Sequence, residues 1–131
     1  MAYVPFILLM TSFLLEYYVM SHSFFNVINK GVVFGIGGGV GELVTSFLLI
    51  GLVLLLKLIG TRVKTESRVF ELGKAFIIAG GIANIYSRLR YGGVVDYLFI
   101  GKLWFNLNDL YVITGSVLLA VFAYKQFAPK S

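Results

Sequence analysis

Long apolar runs separated by short polar stretches make up most of this chain, and four of them predict helices. The first, residues 3–20, is uncharged except for Glu16. It has neither the basic n-region nor the small-residue cleavage site of a secretory signal peptide, so it reads as a mature spanning helix. The second run covers 43–59, with Lys57 near its end placed to snorkel to the headgroups. The third, 72–86, is shorter and rich in small residues (Ala75, Ala79, Gly80, Gly81, Ala83), which let helix backbones approach closely and place it inside a bundle. The fourth covers 110–124 and ends in a tail over 125–131. With interfacial residues counted, each run comes close to the roughly 20 residues that a bilayer demands. The pattern predicts an all-α membrane protein, a single integral domain over 1–131 with four transmembrane helices.

Composition agrees. Of 131 residues 59% are hydrophobic and 13% charged, and a mean hydropathy of +0.91 is too apolar for an ordinary soluble globule. The net charge of +5 raises the question of nucleic acid, but the basic residues are scattered between apolar runs and form no stripe. Topology accounts for them. Lys57, Arg62, Lys64, Arg68, Lys74, Lys125 and Lys130 lie on one side of the predicted spans, against Lys30, Arg88, Arg90 and Lys102 on the other. The positive-inside rule then puts both termini and the 61–71 loop in the cytoplasm and turns the other polar loops outward. With no cysteine there is no disulfide, thiolate metal site or cysteine nucleophile. A single histidine, His22, argues against a His-built metal site and a Ser-His-Asp triad, and reads as an interfacial side chain.

The two outward loops hold the polar residues of interest. Glycines between residues 31 and 41 fit neither G-x-G-x-x-G nor a P-loop and read as a re-entrant turn. Residues 88–108 carry Tyr91, Tyr97, Phe99, Trp104 and Phe105, a density suited to the headgroup layer and explained by simple anchoring. The only two aspartates, Asp96 and Asp109, lie thirteen positions apart where apolar runs meet polar turns. Ionisable groups at the edge of a bilayer usually mark function. Two carboxylates about 4 Å apart repel by about 4 kcal/mol at an effective dielectric near 20, enough to hold one proton between them. Such a pair is a general acid and a general base, the arrangement with which aspartic proteases activate water. The same residues also admit a structural reading, with Asp109 capping the fourth helix and Asp96 paired with Arg88 or Arg90.

Three ordered motifs weigh between these readings: Asn84-x-x-Ser87-Arg88 followed by Tyr91-Gly92-Gly93-Val94-Val95-Asp96, then Phe105-Asn106-Leu107-Asn108-Asp109, and upstream Asn29-Lys30-Gly31-Val32-Val33-Phe34-Gly35. Together they resemble the lipoprotein signal peptidase (signal peptidase II) family, whose members carry N-x-x-D-R, G-x-V-[VI]-D, F-N-x-A-D and N-x-G-x-A-F-G. The resemblance covers nearly the whole chain and describes a divergent, shortened member. It implies a four-helix aspartic endopeptidase of the cytoplasmic membrane, working as a monomer without cofactor or metal, with a small extracytoplasmic platform that can contain β-structure. It implies a prolipoprotein substrate bearing diacylglyceryl on the cysteine after its signal peptide, cut just before that cysteine on the outer face. Carried over, Asp96 and Asp109 match the catalytic pair. Asn29, Gly31, Asn84, Arg88, Asn106 and Asn108 fall among positions that place the pair, the substrate backbone or the lipid.

The chain departs from the family at three places. Ser87 stands where the family has aspartate beside the arginine, and Asn108 replaces a small alanine. Glu16 and Met20 occupy the nearest positions to a D-x-x-x-K in the first helix. Glu16 is expected to bond Asn84, Tyr17 or Arg88, or to be neutral in the bundle, and to serve a structural role. Two further classes compete with an active enzyme: a catalytically impaired relative that binds lipidated signal peptides, and a non-enzymatic channel or scaffold. A channel would want polar residues along the span, whereas in this chain they concentrate at one interface.

Overall fold

A computed structural model describes residues 2–22, 26–29, 67–101 and 103–130. The predicted span over 43–59 and the glycine-rich segment containing Gly31 lie outside the described residues. Three described helices are long and apolar enough to cross a membrane: α1 (Tyr3–Ser21), α2 (Arg68–Tyr91) and α3 (Leu107–Phe127). Between them run four three-residue strands, β1 (Val27–Asn29), β2 (Val94–Asp96), β3 (Leu98–Ile100) and β4 (Leu103–Phe105).

α2 extends well beyond the 72–86 stretch that hydropathy marks. Its ends are polar, and local chemistry sets them. The Ser67 hydroxyl accepts the Phe70 N–H at 3.3 Å as an N-cap. At the other end Gly92 adopts φ 74°, the left-handed conformation that glycine enters without a Cβ penalty, and its N–H bonds Arg88 O at 3.0 Å. The chain leaves the helix there and enters β2 directly.

α2 and α3 pack antiparallel through small residues, as the contacts run in opposite order: Phe70 stacks on Phe122 at 4.8 Å, and Phe76 meets Tyr111 edge-on at 5.6 Å. A Cβ added to Gly115 would stand 2.6 Å from Ile77 Cγ1 and 2.7 Å from Gly73 O. One on Gly80 would stand 2.7 Å from the Asn108 carbonyl, next to Asp109. Backbone contacts this close require glycine, the arrangement expected of helices associating in lipid. Gly115→Val is therefore expected to destabilise the bundle by about 1–3 kcal/mol. Thermal unfolding in detergent checks this against Ser116→Val, which alters an exposed neighbour.

In the antiparallel pairing Arg68, Glu71 and Lys74 of α2 share an end with Lys125 of α3, and both aspartates lie at the opposite end with Arg88 and Arg90.

Strand register closes the thirteen-residue gap between the aspartates. β3 and β4 form a hairpin through Gly101 (φ 60°), pairing Leu98 with Phe105, Phe99 with Trp104 and Ile100 with Leu103. One further bond, Tyr97 N–H to Phe105 O at 3.2 Å, zips the base of the hairpin. Asn106 is thereby returned beside Asp96. β1 pairs antiparallel with β2, placing Val27 opposite Asp96 and Asn29 opposite Val94. Leu98, Phe99 and Ile100 are exposed, and Phe99 stacks on Trp104 at 5.2 Å.

Candidate functional site

Where the C-terminal end of α2, the N-terminal end of α3 and strand β2 converge, the bundle encloses polar side chains in place of hydrocarbon. Asn84, Ser87, Arg88, Asp96, Asn106 and Asn108 are all buried, together with Ser12 and Glu16 of α1. Asp109 alone among the candidate residues of α3 is half-buried. Buried polar groups need partners, and in this site the hydrogen bonds form two connected chains.

Asn106 is the junction of the first. Its side-chain amide donates to Asp96 Oδ1 at 2.9 Å, and its side-chain carbonyl accepts the Asp109 N–H at 3.0 Å. Its own backbone N–H donates to Asp109 Oδ2 at 3.1 Å. The last two bonds are a capping box that starts α3, so the structural role open to Asp109 is realised. The first bond adds what a cap does not need, a tie to the second carboxyl. Another free N–H of the α3 first turn, that of Leu107, is taken by the Tyr97 hydroxyl at 3.1 Å. Burial pushes the Tyr97 hydroxyl up to about 12, so it stays neutral at physiological pH.

The second chain runs behind the aspartates. Ser12 Oγ donates to Asn108 Oδ1, Asn108 Nδ2 donates to Asn84 Oδ1 at 3.1 Å, and Asn84 lies against the Asp109 carboxyl. The Ser87 hydroxyl accepts the Val95 N–H at 3.2 Å and reaches Gly93 O at 3.3 Å, gripping the strand that presents Asp96. Arg88 is buried on the same end of α2. No three His, Asp or Glu side chains converge on a point among the described residues.

Of the residues singled out from the sequence, Asp96, Asp109, Asn84, Arg88, Asn106 and Asn108 come together at this end of the bundle. Asn29 is placed by its backbone, opposite Val94 in the β1–β2 ladder. The structure sets Glu16 near Ser87, with Arg90 also within electrostatic reach. The sequence motifs single out neither Ser12 nor Tyr97. For Ser12 the available signal is spacing: Ser12 and Glu16 are polar residues four apart in an apolar helix, hence on one face.

The family model described as Signal peptidase (SPase) II matches residues 6–125. The lipoprotein signal peptidase of Clostridium novyi (strain NT) is 32% identical over 109 residues, 75% of this chain and 70% of that protein. That of Halothermothrix orenii is 37% identical over 101 residues, covering 75% and 67%. That of Borrelia hermsii is 32% identical over 122 residues, covering 82% and 72%. Among solved structures, a bacterial membrane enzyme determined by the in meso method superposes with a TM-score of 0.83 at 16% identity, over 98% of this chain and 89% of that one, a likeness of fold.

Proposed function

This chain belongs to the signal peptidase II family, and from that membership we propose that it is an aspartic endopeptidase removing signal peptides from diacylglyceryl prolipoproteins. The observation that carries the reading is the Asn106 junction, one residue hydrogen-bonded to Asp96 Oδ1 and to Asp109 Oδ2. A helix cap explains the second bond, and the first, which also gives a buried carboxyl its donor, supports a paired role by tying Asp96 to the residue that caps Asp109.

In this reading Asp96 and Asp109 hold one proton between them and a water molecule on the substrate side. The ionised carboxyl takes a proton from the water, whose oxygen bonds the carbonyl carbon before the lipidated cysteine. The protonated carboxyl gives its proton to the carbonyl oxygen as it gains charge. Collapse of the tetrahedral intermediate breaks the C–N bond and returns a proton to the leaving amine. Asn84 and Arg88 supply N–H donors for substrate carbonyls and developing charge.

Asn29, whose backbone lies in the ladder beside β2, and Gly31, by family resemblance, belong with the residues that position the substrate. The basic end formed by Arg68, Lys74 and Lys125 supports a cytoplasmic placement for both termini, with the carboxyl pair on the outer face of the cytoplasmic membrane. Two acyl chains on the substrate cysteine would hold the scissile bond at that depth. In this reading the working unit is a monomer.

The test uses the full chain in phospholipid vesicles with a diacylated prolipoprotein and its unlipidated counterpart. Mass spectrometry is expected to find cleavage only in the lipidated substrate, at the bond before the modified cysteine. Binding without cleavage would replace the proposal with a catalytically impaired relative. Neither binding nor cleavage would leave a channel or scaffold.

A further inference from the structure

α1 is an apolar helix that buries two polar side chains four residues apart, Ser12 at 2% exposure and Glu16 at 4%. Its buried face is turned to α2 and α3, where Phe13 stacks on Tyr86 at 4.7 Å. Ser12 Oγ donates to Asn108 Oδ1, and the buried Glu16 carboxyl faces Ser87, whose hydroxyl proton goes to Gly93 O at 3.3 Å. Each contact ends beside an aspartate. Asn108 immediately precedes Asp109 and continues through Asn84 to that carboxyl. Ser87 holds the N–H of Val95, which immediately precedes Asp96.

Packing alone does not call for these residues. A leucine would fill the place of Glu16, whose Oε1 is buried and has no hydrogen-bond partner among the described residues. A carboxyl retained under those conditions in a spanning helix points to use. We infer that Ser12 and Glu16 are positioning residues, a polar brace through which α1 holds the two catalytic carboxyls in register by way of Asn108 and Ser87. The inference rests on the proposed aspartate pair. Neither brace residue touches the reacting atoms. Their effect is on placement, to which rates are steeply sensitive.

The experiment measures kcat, KM and thermal midpoint with the diacylated prolipoprotein in vesicles. It compares wild type with Ser12→Ala, Glu16→Ala, Glu16→Gln, Ser87→Ala and the Glu16→Ala/Ser87→Ala double variant, with Asp96→Asn as reference. Glu16→Ala is expected to lower kcat by about tenfold to a hundredfold with KM unchanged, and Ser12→Ala to do the same through Asn108. Glu16→Gln keeps the side-chain length and a carbonyl oxygen facing Ser87 and is expected to restore most of the rate. The double variant is expected to be no slower than its slower parent, because Glu16 acts on Asp96 only through Ser87.

Wild-type kcat in Glu16→Ala, additive losses in the double variant, or a Glu16→Gln enzyme as slow as Glu16→Ala overturns the brace. Should Glu16→Ala fail to fold, a Ser87→Ala enzyme with wild-type kcat, or a Glu16→Gln enzyme slowed as much as Ser87→Ala, overturns the brace. An Asp96→Asn enzyme as fast as wild type sinks the aspartate pair instead, a separate result.

Discussion

Asp96→Asn and Asp109→Asn are each expected to slow prolipoprotein cleavage by about 10³-fold or more while leaving thermal stability near wild type. The pairing of those outcomes is what makes the test sharp. Asp96 Oδ1 accepts from the Asn106 amide and Asp109 Oδ2 from the Asn106 N–H, and an asparagine carbonyl accepts either bond equally well. Size, cap and these two bonds survive the substitution. What is lost is the capacity to be ionised or to hand on a proton. A 10³-fold loss corresponds to about 4 kcal/mol of transition-state stabilisation, too much for a displaced surface group and in range for a missing acid or base. Since the two carboxyls act as one unit, the double variant is expected to be no slower than either single one. For the same reason wild-type kcat should be bell-shaped in pH and flatten in both variants. Single variants that cleave at wild-type rates would show that Asp109 is a cap and nothing more.

How much of the molecule is legible in its sequence depends on the range of the interaction. Hydropathy marks 3–20 as a helix and the structure has Tyr3–Ser21, because nothing but apolar side chains defines that element. The same measure gives 72–86 for a helix that is Arg68–Tyr91, since Arg68, Glu71, Arg88 and Arg90 look like loop to hydropathy but are helical once Ser67 and Gly92 fix the ends. The short strands give no local signal. Three residues are too few for a period, and the β3–β4 register that returns Asn106 to Asp96 is a tertiary fact. Motif marks Asp96, Asp109 and Asn106, but not the way one asparagine serves both carboxyls. Ser87 stands out in the sequence only as a departure from the family pattern. The structure gives it a grip on Val95 and a neighbour in Glu16, 71 positions away along the chain.

Asn106 allows its two duties to be separated. Asn106→Ala removes the bond to Asp96 and the acceptor for the Asp109 N–H together. Losing the cap is expected to cost about 1 kcal/mol of stability, and leaving the buried Asp96 oxygen without this donor about 1–3 kcal/mol more. The cleavage rate is expected to fall about a hundredfold, because a carboxyl released from its tie samples positions from which it cannot reach the shared water. Asn106→Ser divides these effects. Serine caps a helix about as well as asparagine, so α3 should start normally and the cap share of the stability should return. Its short hydroxyl replaces the longer amide that spans 2.9 Å to Asp96 Oδ1, so the rate should stay low. Thermal midpoints and kcat measured on the two variants in the same vesicles give the comparison. A serine variant restored in both stability and rate would assign Asn106 to helix initiation alone. Recovery of stability without recovery of rate would mean that this asparagine aligns one carboxyl with the other, which is the property on which the chemistry of the site depends.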